Sequence, residues 1–259
     1  MQPLISMVLA SFVRLGAAFT TPGHVRDSPC GVEQPSAALL AAHREIAATE
    51  KNHLLRRNET TDTPPAIAVD VYAHIISTSE TAKDHHDNNT IHEQIALLNT
   101  YFNPGNISFV LKNANWTVNP YFSEGNNTMR MKILHHKGDN RHLNIYYGKN
   151  PLGATNSRAV STTPDDLVGQ PLGLEMDGIM IPAYWLYGDR KQTVVHEVGH
   201  WFGLLHTFND DCNGNGDEID DTPAHADASE GCSAMPPLDT CPGKPGNDPV
   251  HNPMNYIPE

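Results

Sequence analysis

One stretch limits what this chain can become: His196-Glu197-Val198-Gly199-His200-Trp201-Phe202-Gly203-Leu204-Leu205-His206. Residues four apart on a helix share a face, so His196 and His200 can offer two imidazoles to a single metal. Glu197 stands where a carboxylate acts as general base toward water in the metal's open position without being a ligand. His206 cannot join from the same helix. Six further residues carry it about 9 Å along the axis, while a zinc ligand approaches to about 2.0–2.1 Å. The chain must therefore leave the helix and turn back, and Gly203 permits this because glycine enters a left-handed helix end without steric cost. Three histidines leave a fourth position open, as a catalytic zinc requires. A bare HExxH arises by chance in ordinary helices, but the added glycine and histidine each cut chance matches roughly tenfold.

The flanks of the stretch agree. Val194, Val198, Trp201 and Leu205 form an apolar stripe opposite the two ligands, so one face packs the core and the other meets the metal. Asp189 with Gln192 three residues later reads as a capping box that starts the helix. His85-His86 and His135-His136 sit in polar surroundings and read as solvated surface histidines, not a second metal site.

Upstream, Ile67, Val69, Val71, Ala73 and Ile75 alternate strictly and predict a half-buried strand. Ile91, Ile95, Leu98 and Phe102 follow helical spacing until Asn103-Pro104-Gly105 stops the helix. Residues 107–111, 143–147 and 178–181 are further strand candidates, and Met129, Ile133 and Leu134 suggest a short helix. Strands alternating with helices imply an α/β layer ahead of the zinc helix. Residues 207–250 lose periodicity and are rich in Asp, Gly, Asn and Pro. A long irregular segment is normally functional or stapled, and a disulfide is the expected staple.

The beginning of the chain reads as an address followed by a removable segment. LISMVLASFV is an apolar run of signal-peptide length, though Arg14 interrupts its continuation and no basic residue precedes it. Residues 1–20 are assigned to a signal peptide. Residues 21–63 form a pro-segment and linker: Ser36 caps an amphipathic helix with Leu39, Leu40, His43 and Ile46 on one side, and NETTDTPP follows Arg56-Arg57 as a hinge. The alternative is a helix packed permanently on the domain. Residues 64–259 form the catalytic domain.

Five glycosylation sequons, at Asn58, Asn88, Asn106, Asn115 and Asn126, favour a secreted, extracellular chain. The net charge of −13 argues against nucleic acid or anionic membrane as a partner, and no apolar run approaches the roughly 20 residues that span a bilayer. A monomer acting on protein or peptide substrates is expected. The four cysteines, Cys30, Cys212, Cys232 and Cys241, include no CxxC, which disfavours a structural zinc ribbon.

HExxHxxGxxH is the metzincin signature. Within metzincins, HEVGHWFGLLHTF, Cys212, GDEIDDTPA, Gly231-Cys232, Thr240-Cys241 and NPMNY resemble the pappalysin family, and its secreted fungal and bacterial metalloproteases above all. The resemblance runs from about Cys30 to the end. It implies an α/β (α+β) fold, with an upper mixed five-stranded sheet, a backing helix and the active-site helix, above an irregular lower subdomain. It implies an endopeptidase whose substrate lies extended in the cleft between them. It further implies zinc on His196, His200 and His206, Glu197 as base, Met254 as the floor of a tight Met-turn, and Tyr256 as a donor to the oxyanion. By the family's spacing Cys212 pairs with Cys241, leaving Cys232 without its usual partner. Relatives continue past Tyr256 with another cysteine and a C-terminal helix, so truncation there is expected. They also carry cysteines and an aromatic run before the zinc helix that LGATNSRAV and PDDLVGQ replace, and Pro253 is expected to restrict the Met-turn.

The resulting reading is a secreted zinc endopeptidase. Its alternatives are a secreted zinc-binding protein with impaired catalysis that acts by binding, or another metal-assisted hydrolase. Asp217, Glu218, Asp220 and Asp221 crowd one loop and read either as a calcium site or as a solvated acidic loop. Cys30, in Ser28-Pro29-Cys30-Gly31, reads as a thiolate latch on the zinc, as a disulfide partner of Cys232, or as an idle thiol. Related proenzymes carry a similar Cys-Gly there, which favours the latch.

Overall fold

The computed structural model describes residues 30–31, 34–56, 65–153, 158–229 and 237–256. The signal-peptide stretch, Arg57, Asn58 and Cys232 lie outside them.

The alternating segment becomes β1 (Ile67–Ser77). Its burial alternates only at the start, and every residue from Ala73 to Ser77 is buried. β1 is therefore a central strand covered on both faces, not a half-buried one. Its companions are β2 (Ile107–Val118), β3 (His142–Gly148), β4 (Val160–Ser161) and β5 (Ile179–Pro182), in the spatial order β2-β1-β3-β5-β4. β2, β1, β3 and β5 run parallel, and the two-residue β4 pairs antiparallel at the far edge. This is the mixed five-stranded sheet expected. The sequence reading stopped β2 at Leu111 and did not find β4.

The helices among the described residues are α1 (Ala37–Arg56), α2 (Asn88–Phe102), α3 (Pro120–Ser123), α4 (Thr128–His135), α5 (Gly173–Met176) and α6 (Thr193–Trp201). Asp87 caps α2 by accepting the Thr90 amide at 2.9 Å, an interaction of about 1 kcal/mol. The stripe Ile91, Ile95, Leu98 then meets Val71, Ile75, Leu143, Ile145, Ile179 and α6's Val194 and Val198 in one core. The other residues of the same strands turn to the opposite face, where Ile76, Tyr146 and Met180 meet Phe122 of α3 and Met131 of α4.

Two expectations about these helices fail. α4 forms, but Met129, Ile133 and Leu134 are exposed while Met131 and Lys132 are buried. Lys132 can lie inward because its ammonium donates to the carbonyls of Met176 (2.7 Å) and Gly178 (3.1 Å) above the Tyr146 ring. α6 begins at Thr193 with Gln192 as its N-cap, whose side chain makes no capping hydrogen bond and instead accepts from the Tyr101 hydroxyl (2.9 Å), so the helix does not start from Asp189, which lies in a separate 3₁₀ turn at Gly188–Arg190. Core packing of Val194 and Val198 at 1% and 0% exposure holds this end instead, each contributing about 1.5–3 kcal/mol.

The histidine pairs are not solvated either. His86 is buried against Tyr187 (3.0 Å), and His85 contacts Ser77 (2.8 Å). His135 and His136 are half-buried, with the His135 ring beside that of His74. Neither pair belongs to a metal-competent group among the described residues.

After Phe202 the described chain runs in turns and bends without helix or strand, the irregular lower part expected. Its staple is the Cys212–Cys241 disulfide, with Cα atoms 5.5 Å apart.

Candidate active site

α6 ends because Gly203 takes φ +92, and the amides of Gly203 and Leu204 close the end by donating to His200 (2.8 Å) and Gly199 (2.9 Å). That reversal swings His206 back under α6. His200 Nε2 then lies 3.1 Å from His196 Nε2 and 3.0 Å from His206 Nε2.

These are not hydrogen bonds. His196 Nδ1 donates to the Pro253 carbonyl (2.7 Å) and His200 Nδ1 to the Leu204 carbonyl (2.8 Å). A carbonyl only accepts, so each proton sits on Nδ1 and the Nε2 lone pairs face one another. Ligands about 2.0–2.1 Å from a tetrahedral ion lie about 3.3 Å apart, close to the separations seen. Burial also lowers the imidazole pKa values, to about 4 for His196 and about 3 for His200, with His206 lowered for the same reason and by its neighbours. All three are held neutral, the form that ligates. The donor set fits a zinc ion.

Glu197 completes the fit. It is fully buried, and among the described residues its carboxylate meets nothing stronger than the thiol of Cys30, which is costly unless a cation or reacting water faces it. Burial raises its pKa to about 8, opposed by the thiol of Cys30. The Cys30 sulfur and the three histidine nitrogens lie within 4.8 Å of one another. Cys30 and Gly31 run parallel to the β4 edge, where Gly31 N–H donates to the Ala159 carbonyl (2.8 Å). A cavity of about 350 Å³ continues from there between Ser36, Leu39, Ser161, His200 and His206.

Under the ligands lies the turn at 252–255. Asn252 receives the Met254 amide (2.9 Å), and Met254 is buried directly beneath Gly199. A side chain at 199 would strike the Met254 sulfur, so Gly199 is fixed by the floor. Pro253 does not spoil this turn: it needs no N–H there, and its carbonyl orients His196. The Tyr256 ring packs 4.8 Å from that of His206, on whose other contacts Phe208 stacks at 4.9 Å. Gly199, Phe208 and the pair His225–Thr207 (2.7 Å) beside it were not singled out from sequence, although a small residue between two ligand histidines was a readable signal. Asp177 is another unforeseen tie, accepting from Thr162 next to β4 (2.8 Å) and from Trp201 at the end of α6 (3.0 Å).

The acidic loop does not converge. Asp217 is buried and accepts the Ile219 amide (3.1 Å), while Glu218 turns to Arg44 and Asn215. No group containing Asp217, Glu218, Asp220 or Asp221 is arranged for a metal among the described residues. Of the described sequon residues, Asn88 and Asn126 are exposed and Asn106 is half-buried, whereas Asn115 engages His74 at 2.6 Å.

Residues 127–259 match the Peptidase_M43 family, described as pregnancy-associated plasma protein-A. An extracellular metalloprotease of Pyricularia oryzae is 36% identical over 242 residues, covering 88% of this chain and 80% of the relative. The chain belongs to this peptidase family. It is a zinc metallopeptidase of the pappalysin type. A second relative, from Neurospora crassa and also named an extracellular metalloprotease, is 35% identical over 93% of this chain and 84% of its own length. The fold is shared with solved structures, among them the two that follow. Mirolysin in complex with a compound gives a TM-score of 0.60 at 23% identity, over 76% of this chain and 86% of that one. A Tannerella forsythia promirolysin mutant gives 0.62 at 21% identity, over 89% and 87%.

Proposed function

We propose that the chain is a secreted zinc endopeptidase made in latent form, with His196, His200 and His206 as ligands and Glu197 as general base. The observation that carries this is the convergence of three histidine Nε2 atoms beside a buried carboxylate that no cation among the described residues neutralises. Zinc bound there supplies Lewis acidity toward the scissile carbonyl and toward water.

The chain's own residues do the rest. Glu197 takes the proton of the attacking water and passes it to the leaving amine. Its pKa, raised to about 8 by burial, is drawn back toward neutrality by a neighbouring cation, which suits a group that must both accept and release a proton. Tyr256, packed beside His206, donates to the developing oxyanion. A substrate runs extended along β4, pairing as Cys30-Gly31 does with Ala159. Cys30 occupies that place in the latent form, with its thiol in the fourth ligand position and against the base. The relatives' names and the sequons support an extracellular site of action.

Glu197→Ala is expected to retain zinc and lose about three orders of magnitude in casein cleavage, since it removes the base alone. Activity equal to wild type refutes the mechanism. Cys30→Ala is expected to be active without processing; activity no higher than the unprocessed wild type refutes the latch.

A further inference from the structure

Beyond Cys30, the described side chains of α1 and its cap meet the catalytic face through contacts from the first two turns. Ser36, which caps α1 by accepting the Leu39 amide (3.0 Å), hydrogen-bonds Asp165 of the turn Pro164–Leu167. Leu39, 7% exposed, packs at Gly203 beside Pro164. His43 Nε2 donates to the Gly203 carbonyl (2.8 Å), just past the C-terminal cap of α6. Arg44 donates through Nε (3.1 Å) and Nη2 (2.7 Å) to one oxygen of Glu218, and Asn215 holds the other (3.2 Å). The two sides of this ion pair are unlike: the Arg44 side chain is 60% exposed, that of Glu218 only 6%. The carboxylate is thus set in the surface at a backbone φ of +62, with the guanidinium laid over it from outside. Past Arg44 no docking contact is seen among the described side chains, and Ile46 stands 66% exposed.

We propose that the Gly203 carbonyl, the Glu218–Asn215 pair and the turn Pro164–Leu167 form a docking site for residues 36–44 that holds without the metal anchor, so that the leading segment stays bound after the linker is cut. This rests on the reading of residues 21–63 as a pro-segment. Among the described side chains every anchor precedes residue 45, whereas the sequence reading puts the hinge NETTDTPP at residues 58–65, so a cut in the hinge severs none of them. Cleavage converts a tethered segment into a bound one, and the loss of tethering lowers its effective concentration. Release then needs displacement or digestion of the segment, and salt promotes it because the guanidinium is open to solvent.

The test uses the full chain with Glu197→Ala, to prevent self-digestion, and a site-specific cleavage sequence placed within residues 58–65. After cutting, the leading fragment is followed by size exclusion at low and at molar salt. It is expected to co-elute at low salt and separate at high salt, and to co-elute also when Cys30→Ala is present. Arg44→Glu, an exposed change that leaves the core untouched, is expected to weaken retention at least about tenfold. Arg44→Glu with Glu218→Arg is expected to restore it. Release of the fragment on cutting at low salt overturns the proposal. So does a fragment that Cys30→Ala frees while Arg44→Glu retains it. Because the readout is retention, not cleavage of substrate, it fails or succeeds independently of the catalytic reading.

Discussion

Gly199→Ala joins the fold to the metal site in one methyl group. The new Cβ points at the Met254 sulfur, and its next neighbour is the Met254 methyl (3.2 Å). Both belong to a buried side chain, so neither escapes into solvent. Overpacking of this kind costs about 1–3 kcal/mol. For a domain of this size each kcal/mol shifts Tm by about 2–4 °C, so a drop of about 2–12 °C is expected by calorimetry. The displaced turn also carries the Pro253 carbonyl that orients His196, and losing such a support weakens metal binding about 10–100-fold. Competition with a chromogenic chelator reads that second effect. Met254→Ala removes the obstruction but opens a cavity at about 2–5 kcal/mol. The double variant should therefore be more stable than the sum of the single losses, because the two positions touch. Unchanged Tm and zinc affinity in Gly199→Ala, or strict additivity in the double variant, would refute the steric account of this floor.

Cys212→Ser opens a loop whose ends are 29 residues apart, which chain entropy values at about 3–4 kcal/mol, so thermal melting should fall clearly without loss of the zinc ligands. Melting unchanged from wild type would contradict the staple. Burial depresses the Lys132 pKa to about 8. Between that value and about 10.4, the unfolded chain binds the proton that the folded one has shed, so wild type gains stability relative to Lys132→Met as pH rises through this window. Below pH about 8 both states are protonated and the difference is flat. A stability difference between the two proteins that is constant from pH 7 to about 10.4 would sink this reading.

The parts legible in sequence are those fixed by near neighbours. The ligand spacing, the turn at Gly203 and the apolar stripe of α2 each depend on contacts within a few residues. β4 was not legible because two residues mean nothing until β5 pairs with them. The face of α4 was misread because Lys132 is satisfied by Met176 and Gly178, more than 40 residues away. His86 likewise looked solvated because its partner is Tyr187, 101 residues on. The start of α6 was misplaced since packing of Val194 and Val198, not a cap, holds it. At the candidate metal site the grouping of the histidines and Glu197 was legible from their spacing, whereas the requirement for Gly199 emerges only when Met254 arrives from the far end of the chain.

Zinc-edge X-ray absorption on the purified, unprocessed full chain tests the central claim most directly. Three imidazole nitrogens at about 2.0–2.1 Å and one sulfur at about 2.3 Å are expected, with the sulfur replaced by a light atom in Cys30→Ala. A spectrum without three imidazole ligands, or with the same sulfur in both proteins, would contradict the account.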